Sequence, residues 1–311
     1  MAPSLTVALL GSKDVAKELG KKGTSSDITL YNTVQDGHAV TVVEPTQFPE
    51  KFAPLLMSLA MADRAILVVP SLTREIAEAV ATLDLFDDRP IEVVLGSGVG
   101  QEEIQRAFKG TRLVHAPMAP LDLPRLREEI AGWSAPERPG PAMVRIDHAF
   151  PVKGVGAVAL GVVRQGVLRA HEKLRLFPDS KVVEVRSIQV HDVDVTEATS
   201  GARVGVAIKG AEADELGRGR VLAPEGSLTT GSTLNGRAWT KCPYYRGPVG
   251  EGQQVNVLVG LQFVPASISA LDGANLRLET DRPVVYAPGD PIYLADLSAT
   301  TGPRIVGRAT L

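Results

Sequence analysis

The stretch Phe150-Pro-Val-Lys-Gly-Val-Gly-Ala-Val-Ala-Leu-Gly161 decides the fold. An apolar run enters a Gly-x-Gly turn, and a second run of small and β-branched residues leaves it and stops at a glycine. Glycine supplies the positive φ that a tight turn needs, and the flanking residues suit pleated strands. Val163-Arg-Gln-Gly-Val-Leu-Arg-Ala-His-Glu-Lys-Leu174 follows, and Val182-Val-Glu-Val-Arg-Ser-Ile-Gln-Val190 alternates in the same way. Convincing helices disappear, so this part of the chain reads as all-β, in barrels. A break at Ala223-Pro-Glu-Gly226 separates one barrel over residues 142–223 from another over 227–311.

Upstream the character differs. Ser134-Ala-Pro-Glu-Arg-Pro-Gly-Pro141 is a proline-rich linker in which no helix can continue. Before it, over residues 1–135, apolar runs alternate with helix-like segments. The runs are Leu5–Leu10, Ile28–Val34, Ala39–Val43, Ala65–Val69, Ile91–Leu95 and Leu113–His115. Helices are predicted over Pro49–Met61, Leu72–Phe86, Gln101–Phe108 and Leu121–Trp133. That alternation argues for a mostly parallel sheet covered on both faces. Gln35-Asp36-Gly37-His38 carries the Asp-Gly signal of a hairpin, which predicts one antiparallel pair.

The bulk numbers exclude several classes. Of 311 residues, 44% are apolar and 22% charged, an ordinary soluble balance. No apolar run approaches the ~20 residues needed to span a bilayer. The N-terminal Met-Ala-Pro-Ser-Leu-Thr-Val-Ala-Leu-Leu reads as a first strand and not as a signal peptide. A single cysteine, Cys242, leaves no internal disulfide or multi-cysteine metal site and fits a reducing, cytoplasmic location. Residues 1–136 carry 13 Lys+Arg against 18 Asp+Glu, and the remainder 20 against 18. Neither part is a strongly basic DNA binder, so any RNA surface must be local.

Val7-Ala-Leu-Leu-Gly-Ser-Lys-Asp-Val-Ala-Lys-Glu-Leu-Gly-Lys-Lys-Gly-Thr24 stands where a phosphate loop would follow the first strand. Such a loop needs Gly-x-x-x-x-Gly-Lys-[Ser/Thr], with backbone N–H groups around the phosphates, a lysine on them and a hydroxyl on Mg²⁺. Counted from Gly11, the second glycine is Ala16, the lysine is kept as Lys17, and the hydroxyl is replaced by Glu18. A register ending at Gly20-Lys21 fails too, with Val15 and Lys22 at the other two places. Lys13, Lys17, Lys21 and Lys22 either hold an anion or form a solvated, charged loop.

The order of elements, with Phe150–Gly161, Ser187-Ile-Gln-Val-His191, Ala198-Thr-Ser-Gly-Ala-Arg-Val-Gly205 and Arg218-Gly-Arg-Val-Leu222, resembles the translational GTPases. Within them it is similar to elongation factor Tu and, more closely, to the selenocysteine-specific factor SelB. The resemblance covers essentially the whole chain. It implies a Ras-like P-loop GTPase-type α/β domain followed by two β-barrels. It also implies translation as the setting, with transfer RNA, the ribosome or another translation factor as partner, and neither DNA nor a membrane.

Carried over residue by residue, the family's nucleotide motifs are altered. Its Asp-x-x-Gly-His falls on Glu44-Pro45-Thr46-Gln47-Phe48, which replaces the Mg²⁺-linked aspartate with Glu44, the γ-phosphate glycine with Gln47 and the water-positioning histidine with Phe48. Its Asn-Lys-x-Asp falls on Gly96-Ser97-Gly98-Val99, which leaves no carboxylate for guanine. Its Ser-Ala matches His115-Ala116, and Lys21-Lys-Gly-Thr24 is what stands for the switch threonine. These changes touch phosphate wrapping, metal binding, water activation and base reading together. The expectation is therefore a degenerate GTPase-like domain with no cofactor and no catalysis. A working GTP-binding factor with atypical motifs, and a protein-interaction scaffold without RNA, are the competing readings.

Two further features are basic. Arg237-Ala-Trp-Thr-Lys-Cys-Pro-Tyr-Tyr-Arg246 interleaves cations with aromatics, which makes Arg237, Trp239, Lys241, Tyr244, Tyr245 and Arg246 candidate RNA contacts. The same run also suits a barrel strand with buried aromatics and solvated cations. Arg164, Arg169, Lys173 and Arg175 form a second, weaker basic patch. His38, His115, His148, His171 and His191 are scattered without metal-ligand spacing.

Overall fold

Alternate residues of the first strand, β1 (Ser4–Leu10), are sorted onto two faces of a sheet. Leu5, Val7 and Leu9 enter one buried cluster, whereas Ala8 and Leu10 enter another. This is the period of two that a strand imposes, with both faces covered. The computed structural model describes residues 4–35, 37–86 and 89–311.

After β1 come α1 (Lys13–Leu19), β2 (Lys21–Ser25), β3 (Thr29–Gln35) and β4 (His38–Glu44). The chain continues through α2 (Ala53–Met61), β5 (Arg64–Val69), α3 (Arg74–Leu85), β6 (Ile91–Leu95) and α4 (Gln101–Ala107). It closes this layer with β7 (Met118–Pro120) and α5 (Leu123–Ala131). The sheet order is β2-β3-β4-β1-β5-β6-β7. Strands β4 through β7 are parallel, and β2, β3 and β4 are antiparallel. Val15, Ala16 and Leu19 of α1 and Leu126 and Ile130 of α5 cover one face. The buried sides of α2, α3 and α4 lie on the other.

Two elements differ from the sequence expectation. Leu113–His115 is not a strand but part of a short 3-10 turn, Arg112–His115. There the Arg112 N–H donates to Asp84 Oδ1 at 2.7 Å and its guanidinium donates to the Leu83 carbonyl, which fastens the turn to the end of α3. The strand falls at Met118–Pro120 instead. Lys21–Ser25, expected as loop, is an edge strand. An edge strand needs only one paired side, and lysines on it are a normal way of blocking further pairing. The predicted antiparallel pair is present as β3 and β4, with Gln35 opposite His38, while Asp36 lies outside the described residues.

The run Ser134–Pro141 contains neither helix nor strand. The first barrel strands are β8 (Met143–Val152), β9 (Gly156–Gln165), β10 (Val167–Arg169), β11 (Lys173–Phe177) and β12 (Lys181–Val190). They are followed by β13 (Val193–Val195), β14 (Glu197–Thr199), β15 (Arg203–Lys209) and β16 (Val221–Ala223). Six of these close in the order β11-β16-β8-β9-β15-β12, with β11 pairing β12. The Gly-x-Gly turn of Phe150–Gly161 joins β8 to β9, and Val152 pairs with Gly156. Gly154 and Gly156 there have φ of 81° and 103°, which explains the Gly-x-Gly.

The last barrel closes as β17-β20-β19-β18-β21-β22. Its strands are β17 (Thr229–Lys241), β18 (Gln254–Val259), β19 (Gln262–Asp272), β20 (Asn275–Tyr286), β21 (Pro291–Ala295) and β22 (Ile305–Thr310). Closure leaves no free strand edge. The fold is thus an α/β domain followed by two six-stranded barrels, as predicted.

The middle barrel has a core of its own. The last barrel does not: its buried residues form one continuous cluster with the α2, α3 and α4 face of the α/β domain. Phe86, just past α3, stacks on Tyr293 of β21 with ring centroids 3.8 Å apart.

Candidate nucleotide site and nucleic-acid interface

In a parallel sheet, the loops leaving the C-terminal ends of the strands are where ligands are held. Gly11, Glu44 and Gly96 all stand at that edge, after β1, at the end of β4 and after β6. The structure therefore brings together three of the positions that the sequence marks.

The connection from β1 into α1 is short. The helix begins at Lys13, so Gly11 and Ser12 alone join the two elements. Gly11 has φ of 85°, and a Cβ on it would lie 2.0 Å from the Val68 carbonyl oxygen. Its lack of a side chain is thus accounted for by strand packing. Ser12 caps the helix, its Oγ accepting the Val15 N–H at 3.4 Å.

The other marked positions on α1 turn away from the edge. Ala16 is fully buried against the strands and α5. Lys17 is exposed and donates to Asp14 at 2.7 Å. Glu18 is exposed, and its carbonyl accepts from Arg127 of α5 at 2.5 Å. Thr24 belongs to the edge strand β2. The expectation of a solvated loop at Lys13–Lys22 is corrected: a capped helix and a paired strand occupy these residues.

Glu44 is only 4% exposed. Its Oε2 accepts the Tyr31 hydroxyl at 3.0 Å, and Oε1 is buried without a partner. Burial lifts its carboxyl above the usual carboxylate range, although the Tyr31 hydroxyl and the charges of Lys13 and Lys22 act the other way. Burial, with the facing Glu44 carboxylate, pushes the Tyr31 hydroxyl up to about 12.

Gln47 and Phe48 are both engaged within the protein. The Gln47 N–H donates to the Asp27 carbonyl, and its Oε1 is buried without a partner. Phe48 packs on the core shared with the last barrel, with the Arg304 guanidinium 5.9 Å from its ring centre. Gly96 donates to the Val69 carbonyl, and a Cβ on it would meet Pro70 Cα at 2.7 Å. Val99 packs on the same core. Among the described residues, no group of three or more His, Cys, Asp or Glu side chains is placed to hold a metal ion.

The Arg237–Arg246 run is split by the last barrel. A bulge between Arg237 and Thr240, with Ala238 at φ 52°, lays the Trp239 ring across Gly307. Tyr245 is 3% exposed and its hydroxyl donates to Asp296 at 2.7 Å. Tyr244 is half-buried and faces α3 and α4 across a groove that also includes Gly302. The stacking role expected of Tyr245 is corrected, because its ring is needed in the barrel core. Arg237, Lys241 and Arg246 remain exposed.

The weaker patch does not form either. Arg164 points inward, 3.3 Å from Asp63 of the α/β domain, while Arg175 is held by Glu225 and Arg169 by Glu197. Pairs that the sequence did not mark prove to join the domains instead. Arg304 grips Glu78, and Arg218 pairs with Asp27 at 2.8 Å. Their partners lie 226 and 191 residues away along the chain, so no local pattern could have marked them.

The family profile for elongation factor Tu domain 2 matches residues 156–223. The chain is 37% identical over 307 residues to an uncharacterized protein of Methanocaldococcus jannaschii, covering 97% of this chain and 98% of that one. It is 25% identical over 295 residues to the selenocysteine-specific elongation factor of the same organism, covering 86% of this chain but 62% of that factor. The chain therefore spans about three fifths of that factor's length.

Among solved structures, translation elongation factor SelB of Methanococcus maripaludis, in complex with the GTP analogue GPPNHP, superposes with a TM-score of 0.84 at 21% identity. That match covers 99% of this chain and 79% of SelB. A bacterial selenocysteine-specific elongation factor gives 0.84 at 17% identity, over 99% of this chain and 58% of that one. No helix among the described residues is long and apolar enough to cross a membrane. With its α/β domain, its two barrels and these relatives, the chain belongs to the translational GTPase family, of the elongation factor Tu and SelB kind.

Proposed function

We propose that this protein is a non-catalytic translation-factor paralogue that neither binds nor hydrolyses GTP and acts in the cytoplasm through RNA or a translation partner. The observation that carries this reading is the start of α1 at Lys13. A phosphate loop turns several consecutive N–H groups inward around the phosphates. Here those residues are already helical, and Ser12 takes the Val15 N–H. Glu44 and Val99 at the metal and guanine positions support the same reading. Phosphoryl transfer relies on positioning and charge stabilisation, so losing these parts together removes its basis.

The continuous core between the α/β domain and the last barrel supports a second element of the proposal. A nucleotide switch moves such domains against one another. A shared apolar core, stitched by Arg304 and Glu78, favours one fixed arrangement. The α/β domain then serves as a scaffold for the barrels.

For RNA, the exposed Arg237, Lys241 and Arg246 suit contacts to a phosphate backbone, which carry affinity without reading sequence. The elongation-factor relatives make transfer RNA or the ribosome the first partners to test. A protein-interaction scaffold is the second reading, favoured by the use of Trp239 and Tyr245 in packing. UV cross-linking in the protein's own cells, with sequencing of bound RNA, separates the two. Enriched transfer RNA or a defined ribosomal site, lost in an Arg237→Glu/Arg246→Glu variant that still folds, is the expected result. Protein partners recovered with no RNA above background would overturn the RNA reading in favour of the scaffold.

A further inference from the structure

At the opposite edge of the sheet from Gly11, where α2 ends and β5 begins, the three domains meet around an arginine-rich cavity. Its volume is about 180 Å³, and Arg138, Arg145 and Arg164 line it together with Asp290 and Tyr293. Arg138 comes from the linker, Arg145 from β8 and Arg164 from β9, while Asp290 precedes β21. Arg89 is also on the wall and donates to the Ala62 carbonyl at 2.8 Å. A second cavity, of about 420 Å³, reaches Arg138 and Arg164 past Ser134 and Pro136 of the linker.

The carboxylates at this junction are already engaged. Asp63 Oδ2 accepts the Thr6 N–H at 3.1 Å, and its Oδ1 accepts from both Arg138 and Arg164, at 2.8 and 3.3 Å. Asp290 accepts from Arg145 at 3.0 Å and from the Ala287 N–H at 2.9 Å.

The donors are not. Arg138 Nη1 is buried with no partner. Among the described residues, Arg164 bonds through Nη1, to Asp63 and to the Met61 carbonyl at 3.2 Å, and its Nε and Nη2 have no acceptor there. Among the described residues, Arg145 bonds through Nη2 alone. Among the described residues, Arg138, Arg145 and Arg164 face the two carboxylates of Asp63 and Asp290.

Partly buried guanidinium hydrogens that lack an acceptor are costly unless an opposite charge enters. Burial, reinforced by the like charges of Arg138, Arg145 and Arg89 and opposed by Asp63, drives the Arg164 pKa down to about 9. A guanidinium stays protonated at neutral pH. The strain on its charge is therefore relieved by binding an anion and not by losing a proton. Planar guanidinium forks match tetrahedral oxyanions with two parallel hydrogen bonds.

We propose that this three-domain junction binds one free, small oxyanion of the phosphate or sulfate class, held by Arg138, Arg145 and Arg164. The ion ties the linker and the first barrel to the base of the α/β domain. It does not depend on the nucleotide reading, because the site lies at the other edge of the sheet.

The test compares inorganic phosphate with chloride at matched ionic strength, using thermal unfolding of the full chain in a zwitterionic buffer. Phosphate is expected to raise the unfolding midpoint saturably, by roughly 5 °C at about 100 times its dissociation constant. Arg138→Met, which keeps the aliphatic bulk, is expected to abolish the difference. Equal effects of phosphate and chloride on the wild type would overturn the proposal, as would a phosphate effect that survives in Arg138→Met. Should that variant fail to fold, tungstate soaked into wild-type crystals decides. An anomalous peak within hydrogen-bond reach of Arg138 and Arg164 supports the site, and its absence at saturating tungstate refutes it.

Discussion

Arg304, just before β22, holds Glu78 of α3 with three hydrogen bonds: Nη2 to Oε2 at 2.6 Å, Nε to Oε1 at 2.9 Å and backbone N to Oε1 at 2.8 Å. Its guanidinium also donates to the Pro49 carbonyl and stands 4.9 Å from the Phe52 ring centre. One side chain thereby clamps the last barrel onto both α3 and the segment leading into α2. Glu78 is 8% exposed, so removing its partner leaves a buried carboxylate. Arg304→Met is expected to cost roughly 3 kcal/mol in urea unfolding. A loss under about 0.5 kcal/mol, as for an ordinary surface position, would refute the clamp.

Gly11 tests whether the glycine serves packing. An alanine there must adopt a left-handed backbone and displace the Val68 carbonyl. The conformational cost alone is about 1–2 kcal/mol. Gly11→Ala is expected to lower stability by roughly 2–4 kcal/mol with no nucleotide present, a loss readable by denaturant melts. Unchanged stability would mean that the glycine is kept for something other than packing.

Glu44 gives a pH test with a defined sign. Its folded pKa lies above the unfolded value, so the native state keeps a proton that the unfolded chain releases. Stability is therefore lost as pH rises from about 4.5 through the folded value. Glu44→Gln removes the charge and retains an acceptor for Tyr31. Its midpoint should exceed that of wild type by about 2 °C at pH 7 and match it near pH 4. A variant less stable at pH 7 would show that the carboxylate is favourable where it stands.

Asp27 behaves in the opposite sense. Burial disfavours its charge, but Arg218 and Ser26 outweigh that, and its carboxyl lies below the usual range. Its contribution is present above the unfolded value near 3.8 and disappears as pH falls through the folded value. Asp27→Asn should cost about 1 kcal/mol at pH 7, because the pair with Arg218 is partly exposed. The gap between variant and wild type should close in acid below that range. A gap that persists at low pH would exclude the ion pair as its source.

Much of this architecture is legible in the sequence because its signals are local. The Gly-x-Gly at Gly154 and Gly156 marks a turn that only positive φ permits, and the apolar runs of β1, β5 and β6 show strands covered on both faces. The edge strand Lys21–Ser25 has no apolar side to show, since its hydrogen bonds to β3 hold it in place. Met118–Pro120 was missed because Leu113 and Val114 look more strand-like than the residues that pair with β6. The nucleotide positions were locatable by spacing, but the early start of α1 was not. Ser12 caps a helix whose sequence, Lys-Asp-Val-Ala-Lys-Glu-Leu, reads equally as a charged loop. Tyr245 and Trp239 look identical to stacking residues until the barrel register places one in the core and the other on Gly307. The ties that fix the domains, Arg304 to Glu78 and Arg164 to Asp63, exist only in three dimensions.

The measurement that bears most directly on a translation factor working without a nucleotide switch is calorimetric titration of the folded protein with GTP and with GDP, in Mg²⁺ and at high protein concentration. No saturable heat with either nucleotide, together with scattering profiles that nucleotide leaves unchanged, is the predicted result. Submicromolar, Mg²⁺-dependent binding of GTP, or a compaction produced by one nucleotide and not the other, would contradict it.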